Sequence, residues 1–320
     1  MTALLGLLLL GLLLSTVAPR LLARARWAER EPVLALLVWQ CLVVAVLLCC
    51  ALGLVLAASA ALPELRAVVF SGAPHGVEAA YELQNAEGWG RLCAAVLAAG
   101  ALRTVLALTR EVRSAKALRD RRHAQLTRRA PELPESIDAL RNRRERLVVL
   151  ENVRPEAWSL PGHHSRLVVT TGALQQLTDR ELAAVLSHER GHVRARHHWL
   201  SQCSQALASG FPGVGVFSAF RDQVGELVEL AADDRAARRH GRHTTALALA
   251  ELNLGSGVFG SCPPGLAQSP KRVDRLLAGR PRLPVTHRLR LTVVALAAPA
   301  AAVLLAAAPG LSTLLQHARP

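Results

Sequence analysis

The sequence predicts a mainly α membrane protein: four transmembrane helices that carry one α+β domain with an HExxH helix. Three observations predict it. The 320 residues are 51% hydrophobic, with mean hydropathy +0.26, although 38 of them are Lys or Arg. An ordinary soluble domain does not combine the two. The apolar residues gather in four runs, Leu4–Val17, Val33–Ala61, Leu92–Leu108 and Leu291–Leu315, each near the roughly 20 residues a spanning helix needs. The polar interval between the third and fourth runs holds His188-Glu189-Arg190-Gly191-His192.

The first run is short but nearly pure Leu, and no positive residue precedes it, which argues against a cleaved secretory signal. Positive residues follow it at Arg20, Arg24, Arg26 and Arg30, so the positive-inside rule puts that loop in the cytoplasm and the N-terminus outside. The second run is the clearest span. The segment after it, Ser59–Gly88, carries Glu64, Glu78, Glu82 and Glu87 against Arg66 alone, which suits an outer loop. The third run contains Arg103, which must snorkel or face other helices. It is followed by Arg110, Arg113, Lys116, Arg119, Arg121, Arg122, Arg128 and Arg129, a cytoplasmic signature. The fourth run contains Pro299 and Pro309, which spanning helices tolerate when neighbours repair the backbone. The expected organisation is three spans in 1–109, a cytoplasmic domain in 110–288, and a fourth span with a short tail in 289–320, in a multi-pass cell-membrane protein.

The cytoplasmic interval opens with basic helical stretches broken at Pro131 and Pro134. Leu147–Leu150 and Ala157–Leu160 read as short strands, with Pro161-Gly162 as a turn. Leu167–Thr171 is β-branched and ends at Gly172, again a strand. Thr178-Asp179-Arg180-Glu181 is a capping box that opens a helix, and Leu182, Val185 and Leu186 give that helix an apolar face. Ser209–Phe217 is apolar, rich in Gly and Pro, and reads as a connector at the membrane surface or in the cleft. Helices are expected over Val224–Arg239, Thr244–Leu254 and Val273–Leu277, with Cys262–Gly265 as a loop.

The chemistry resides in two of these helices. His188 and His192 are i and i+4, one turn apart on one face, so two imidazoles can hold one Zn²⁺ with Glu189 beside it as general base. A site of this class needs a third ligand. Glu229-Leu230-Ala231-Ala232-Asp233 supplies Glu229 and Asp233, again i and i+4. Glu229 completes a His₂Glu set that leaves the fourth position to water. Asp233 is placed to orient His188 or His192 through its second ring nitrogen, while Asp234 is rotated about 100° away. Without the histidines, Glu229 would be a solvated charge and Asp233 a partner for Arg235 or Arg238. One zinc per chain is the expected cofactor.

Leu160-Pro161-Gly162, Val168–Gly172, the helix Glu181–His198 and Glu229–Asp233 resemble the BlaR/MecR-type membrane zinc metallopeptidases and, more distantly, HtpX-type and CAAX prenyl proteases. The resemblance covers the cytoplasmic domain and the order of three spans, domain and fourth span. It implies zinc ligands at His188, His192 and Glu229, a catalytic base at Glu189, and a supporting carboxylate at Asp233. It further implies a signal transducer that cleaves a cytoplasmic regulator such as a BlaI-type repressor, with an HtpX-like membrane quality-control protease as the alternative. Two departures stand out. The beta-lactam sensors of the first family carry a penicillin-binding domain after the fourth span, for which this sequence leaves no room. HtpX-type relatives often place His-Pro before a late Arg-Val/Ile-x-Arg-Leu segment, whereas here Ser269-Pro270 stands before Arg272-Val273-Asp274-Arg275-Leu276. Arg272, His240 and His243 are therefore candidates for stabilising the transition state, each also readable as a surface or salt-bridge residue. His163, His164, His197 and His198 are not needed as ligands.

The net charge of +14 lies largely in Arg110–Arg129 and Arg141–Arg146. Next to a span such clusters set topology and bind anionic lipid, and direct nucleic-acid binding is not expected in a chain with one Tyr and five Phe. Cys41, Cys49, Cys50 and Cys93 fall in apolar runs and Cys203 and Cys262 are isolated, so no disulfide framework or cysteine metal site is implied. A catalytically silent scaffold that docks a partner is the reading from a different class, and the complete set His188, Glu189, His192 and Glu229 argues against it.

Overall fold

The computed structural model describes residues 2–74, 76–83, 87–129, 145–160, 165–252 and 270–317. Helices α1 (Thr2–Ala23) and α2 (Pro32–Ala61) come first, then short α3 (Pro63–Val69) and α4 (Val77–Ala80), then α5 (Glu87–Arg129). Strands β1 (Glu145–Leu150), β2 (Ala157–Leu160) and β3 (Ser165–Thr170) lead into α6 (Thr171–Gln176), α7 (Asp179–Arg194), α8 (His197–Gly210), α9 (Gly215–His240) and α10 (Arg242–Glu251). The chain closes with α11 (Pro270–Ala278) and α12 (Val285–His317). Among the described residues four helical stretches are long and apolar enough to cross a membrane: Thr2–Ala23, Pro32–Ala61, Gly88–Ser114 and Val285–Gln316. The helix α12 continues through Pro299 and Pro309. The expected boundary at residue 110 falls inside α5, which continues from the apolar third run into the basic stretch as one helix. The expected features at Pro131, Pro134, Arg141–Arg144, Pro161–His164, Asn253–Leu254 and Cys262–Gly265 lie outside the described residues.

The bundle has two distinguishable ends. At one, Arg275 Nε donates to Glu29 O at 2.7 Å and Arg280 pairs with Glu29 at 3.2 Å, so the α1–α2 loop and α11 lie together. At the other, Tyr81 Oη donates to Ala306 O at 3.0 Å, so the segment after α4 rests on the far part of α12. α11 thus lies at the end that carries the basic α1–α2 loop, and Arg275, 2.8 Å from Asp234, brings the Glu229–Asp233 part of α9 to the same end.

The sheet order is β1-β3-β2, with β1 parallel and β2 antiparallel to β3. Val168 and Val169 of the central strand are fully buried, one on each face as alternation requires. Val169, with Ala157 of β2, meets Ala184 and Val185 of α7, while Val168 packs with Trp158 on the other face. Thr170 ends the strand and caps α6: its Oγ1 accepts from Ala173 N at 3.2 Å and Glu156 N at 2.9 Å and donates to Arg154 O at 2.7 Å. Next to it, a Cβ on Gly172 would sit 2.1 Å from Val153 O. Gly172→Ala must therefore displace backbone, and we expect about 1–3 kcal/mol of destabilisation from overpacking, read as a lower thermal midpoint. An unchanged midpoint would show that the Val153 loop moves freely. The capping box forms as expected at α7, with Thr178 N donating to Glu181 Oε2 at 2.9 Å and Glu181 N to Thr178 Oγ1 at 3.4 Å.

Among the described residues the largest core cluster joins the domain to the candidate spans. Val216, Phe217, Phe220, Val224, Leu227 and Val228 of α9 pack with Ala35, Leu36, Trp39, Leu42, Val43 and Val46 of α2. The expected connector at Ser209–Phe217 is thus the end of α8, a four-residue turn and the buried start of α9, which begins nine residues earlier than expected.

Candidate metal centre

The site is built where α7 crosses α9. The two helices can approach because Gly191, inside the HExxH stretch, presents no side chain: a Cβ there would meet Arg235 Cδ at 3.2 Å and Ala232 Cα at 3.5 Å. That closeness brings Glu229 up to the histidine pair. His188 Nε2 and His192 Nε2 are 3.1 Å apart, and Glu229 places Oε2 3.6 Å from the first and Oε1 3.5 Å from the second. Two ligands each ~2.0–2.1 Å from a tetrahedral ion lie about 3.4 Å apart, so the three separations fit one zinc. Among the described residues these three form a group whose ligand atoms all lie within 4.8 Å of one another.

The surroundings fit the same ion. His188 is buried, and its Nδ1 sits 3.1 Å from Asp233 Oδ1, a close charge contact whose angle falls short of a good hydrogen bond. Burial alone would lower the His188 pKa, but Asp233 and Glu229 overturn that and raise it to about 10. Without an ion this ring carries a proton, so the pocket already holds positive charge between two carboxylates, where a metal cation would replace it. Burial and the neighbouring His188 hold His192 below the usual imidazole value against the pull of Glu229. Burial likewise tends to raise the carboxyls of Glu229 and Asp233, yet both end well below the usual range, Glu229 through His192 and His188 with Arg272, Asp233 through Arg272 first. Both are therefore anionic at neutral pH.

Of the expected residues, the structure gathers His188, His192 and Glu229 as one ligand-type cluster and puts Asp233 behind His188 rather than His192. Glu189 is buried on the same helix, close enough for its charge to raise the His192 pKa. Asp234 faces away and pairs with Arg275 at 2.8 Å. Asp234→Asn should consequently leave metal content unchanged, whereas Asp233→Asn should weaken metal binding or turnover about 10–100-fold. Equal effects of the two on metal content would remove the distinction.

Two residues stand outside that expectation. Arg272 is buried and grips Asp233 with two bonds, Nε to Oδ2 at 2.8 Å and Nη2 to Oδ1 at 2.6 Å, while Nη1 lies 3.1 Å from Glu229 Oε2. It is the salt-bridge residue that the sequence allowed, buried rather than at the surface, and it is not placed to face a substrate carbonyl, since both carboxylates engage it. His240 ends α9 eleven residues beyond Glu229, about 16 Å along the axis, and His243 is exposed. His197, set aside as a ligand, packs behind His192, with the two Nδ1 atoms 3.1 Å apart. Burial, then the neighbouring His192, pushes His197 down to about 3, so it is neutral. Its position follows from Arg196, whose left-handed conformation (φ 52°) breaks α7 from α8.

Comparison with known proteins agrees with this geometry. Residues 120–250 match the family described as Peptidase family M48. The chain is 27% identical over 148 residues to a protease HtpX homolog of Ralstonia nicotianae, covering 42% of this chain and 52% of that protein. It is 27% identical over 128 residues to one of Burkholderia multivorans, covering 37% and 45% respectively. The chain thus spans about half the length of the curated relatives it matches. No solved structure matches it significantly. Relatives named as HtpX proteases favour the alternative drawn from sequence over the BlaR/MecR-type signal transducer. The part of the chain between its third and fourth apolar helices is thus similar to peptidase family M48.

Proposed function

We propose that the protein is an integral-membrane zinc endopeptidase of the HtpX-like kind, acting on membrane proteins rather than on a BlaI-type repressor. The observation that carries it is the convergence of His188, His192 and Glu229, backed by Asp233 and Arg272, at a crossing of buried helices next to the spans. Zinc, when bound there by His188, His192 and Glu229, would polarise a peptide carbonyl and lower the pKa of water beside it. Glu189 accepts the proton of the attacking water and returns it to the leaving amine, so that one peptide bond and one water give one acid and one amine. Asp233 fixes the ring of His188, and His197 the ring of His192. β2 is an edge strand packed on α7, and its outer backbone groups can align an extended substrate by strand addition.

The chemistry would take place in the cytoplasm, because the domain shares an end with the basic Arg20–Arg30 loop. The basic stretch Arg110–Arg129 would bind anionic lipid, and no nucleic-acid partner is proposed. Reporter fusions after His75 and Leu150 should report outside and inside, and the reverse result would invert the topology. The decisive functional experiment compares membrane and soluble proteomes of cells carrying the wild-type protein or Glu189→Gln. Accumulation of several membrane proteins in the variant is expected. Accumulation of a single repressor would restore the signalling role, and no change would favour a scaffold.

A further inference from the structure

The turn between α8 and α9 lies level with the middle of the spans. Gly210 packs on Thr104 and Ala107 of α5, where a Cβ would come within 3.3 Å of Thr104 Cα, and the Phe211 ring covers Gly100. Gly100 is the middle of the apolar stretch Gly88–Ser114. On the other side, the start of α9 packs in the cluster that reaches Val46, the middle of α2, and Leu14 of α1. Phe220, five residues into α9, meets Trp39 of α2 with ring centroids 6.4 Å apart, so the preceding turn lies further into the bundle than Trp39.

The sequence and the bonding of this hairpin suit that depth. No residue from Trp199 to Phe220 is charged. The turn satisfies its own backbone: Phe211 N donates to Leu207 O at 3.0 Å, Val214 N to Phe211 O at 3.2 Å and Phe217 N to Val214 O at 3.1 Å. In hydrocarbon, backbone must be bonded internally or to protein. The carbonyl of Gly210, at the negative end of the α8 dipole, accepts from Arg103 Nε at 3.1 Å. A terminal carbonyl and an arginine are each costly in a bilayer, and here each satisfies the other. The exposed residues at the tip, Ser209, Pro212, Gly213, Gly215 and Ser218, are small and uncharged, and Ser218 Oγ donates to Gly215 O at 3.1 Å. The helix α8 has 14 residues, about 21 Å, too short to cross a core of about 30 Å.

We propose that the α8–α9 hairpin is a re-entrant membrane element. Its tip enters the bilayer from the side of the metal centre and turns back near the midplane, and lipid acyl chains cover its exposed face. From Gly215 to Glu229 is about 21 Å of helix, and half the hydrocarbon core is about 15 Å. The hairpin therefore holds the metal centre at headgroup height, where it meets polypeptide just leaving the membrane. This consequence rests on the peptidase reading, whereas the seating of the hairpin rests on the four-span reading.

The test places a photo-activatable diazirine amino acid at Ser209, at Ser218, at Leu102 on the exposed face of α5, and at the exposed His243, in the full chain reconstituted in phospholipid vesicles. Phospholipid adducts are expected at Ser209 and Ser218 at the yield of Leu102 and roughly tenfold above that of His243. Adducts at Leu102 with only the His243 level at both serines would overturn the hairpin proposal and leave the spans standing. Absence of adducts at Leu102 as well would remove the span reading and the proposal with it. Neither readout depends on peptidase activity.

Discussion

His188→Ala, His192→Ala and Glu229→Ala will each leave the purified protein without bound zinc, whereas Glu189→Gln will keep the zinc and lose turnover. The difference follows from what each side chain faces. The first three supply the Nε2, Nε2 and carboxylate oxygens that lie 3.1 to 3.6 Å from one another, and two ligands on a mobile ion do not replace three. Glu229→Ala also strips Arg272 of one of its two carboxylates and leaves a buried cation partly unpaired. Glu189→Gln retains volume and polarity but cannot accept a proton, and loss of a positioned general base costs about 10²–10⁴-fold in rate. Metal content by elemental analysis, beside hydrolysis of a protein substrate by the same preparations, separates the two groups. Full metal content in Glu229→Ala would mean that another residue is the third ligand. Wild-type turnover in Glu189→Gln would exclude it as the base.

The parts of the site legible in the sequence are those whose geometry is local. An i, i+4 pair on a helix fixes its own direction, so His188 with His192, and Glu229 with Asp233, could be set on common faces from spacing alone. The capping box at Thr178 set the start of the first helix in the same way. That the two faces meet was inferred from chemistry, and the means by which they meet, the missing side chain at Gly191, had no signal of its own. Arg272 reads from the sequence as a candidate transition-state stabiliser or a salt-bridge residue, and its partners are not legible, because 39 residues separate it from Asp233 and only the folded chain brings α11 across α9. His197 is not needed as a ligand beside two histidines and Glu229, and its place behind His192 is not legible, because nothing in the sequence announces the left-handed residue at Arg196. The four candidate spans were legible as apolar runs. The hairpin was not, since a run interrupted by Gly210, Pro212, Gly213 and Gly215 reads as a loop until its contacts with α2 and α5 are seen.

Arg272 carries the second large effect. Its one guanidinium binds the carboxylate that reaches the metal position and the carboxylate that backs His188, so it fixes the spacing of both relative to α7. Arg272→Met keeps the length of the stem and removes the charge. Half-buried Glu229 and buried Asp233 then stand one turn apart on the same helix with like charge, and the His188 ring is left as the one positive group set between them. Removing one partner of a buried ion pair costs about 3–5 kcal/mol, and we expect that loss as a lower thermal midpoint of the metal-free protein. Bound zinc supplies the missing positive charge, so the deficit should shrink on adding metal, at an affinity reduced about 10–100-fold. The pH dependence has a definite sign. Arg272 overcomes burial to hold the Asp233 carboxyl at about 2, below its unfolded value, so the stability this pair contributes is present above about pH 4. It is lost as pH falls towards 2. The variant should therefore lie furthest below wild type at neutral pH and approach it in acid. If Arg272→Met melts with the wild type in chelator at pH 7 and binds zinc as tightly, the clamp has no energetic role and the two carboxylates are held by α7 alone.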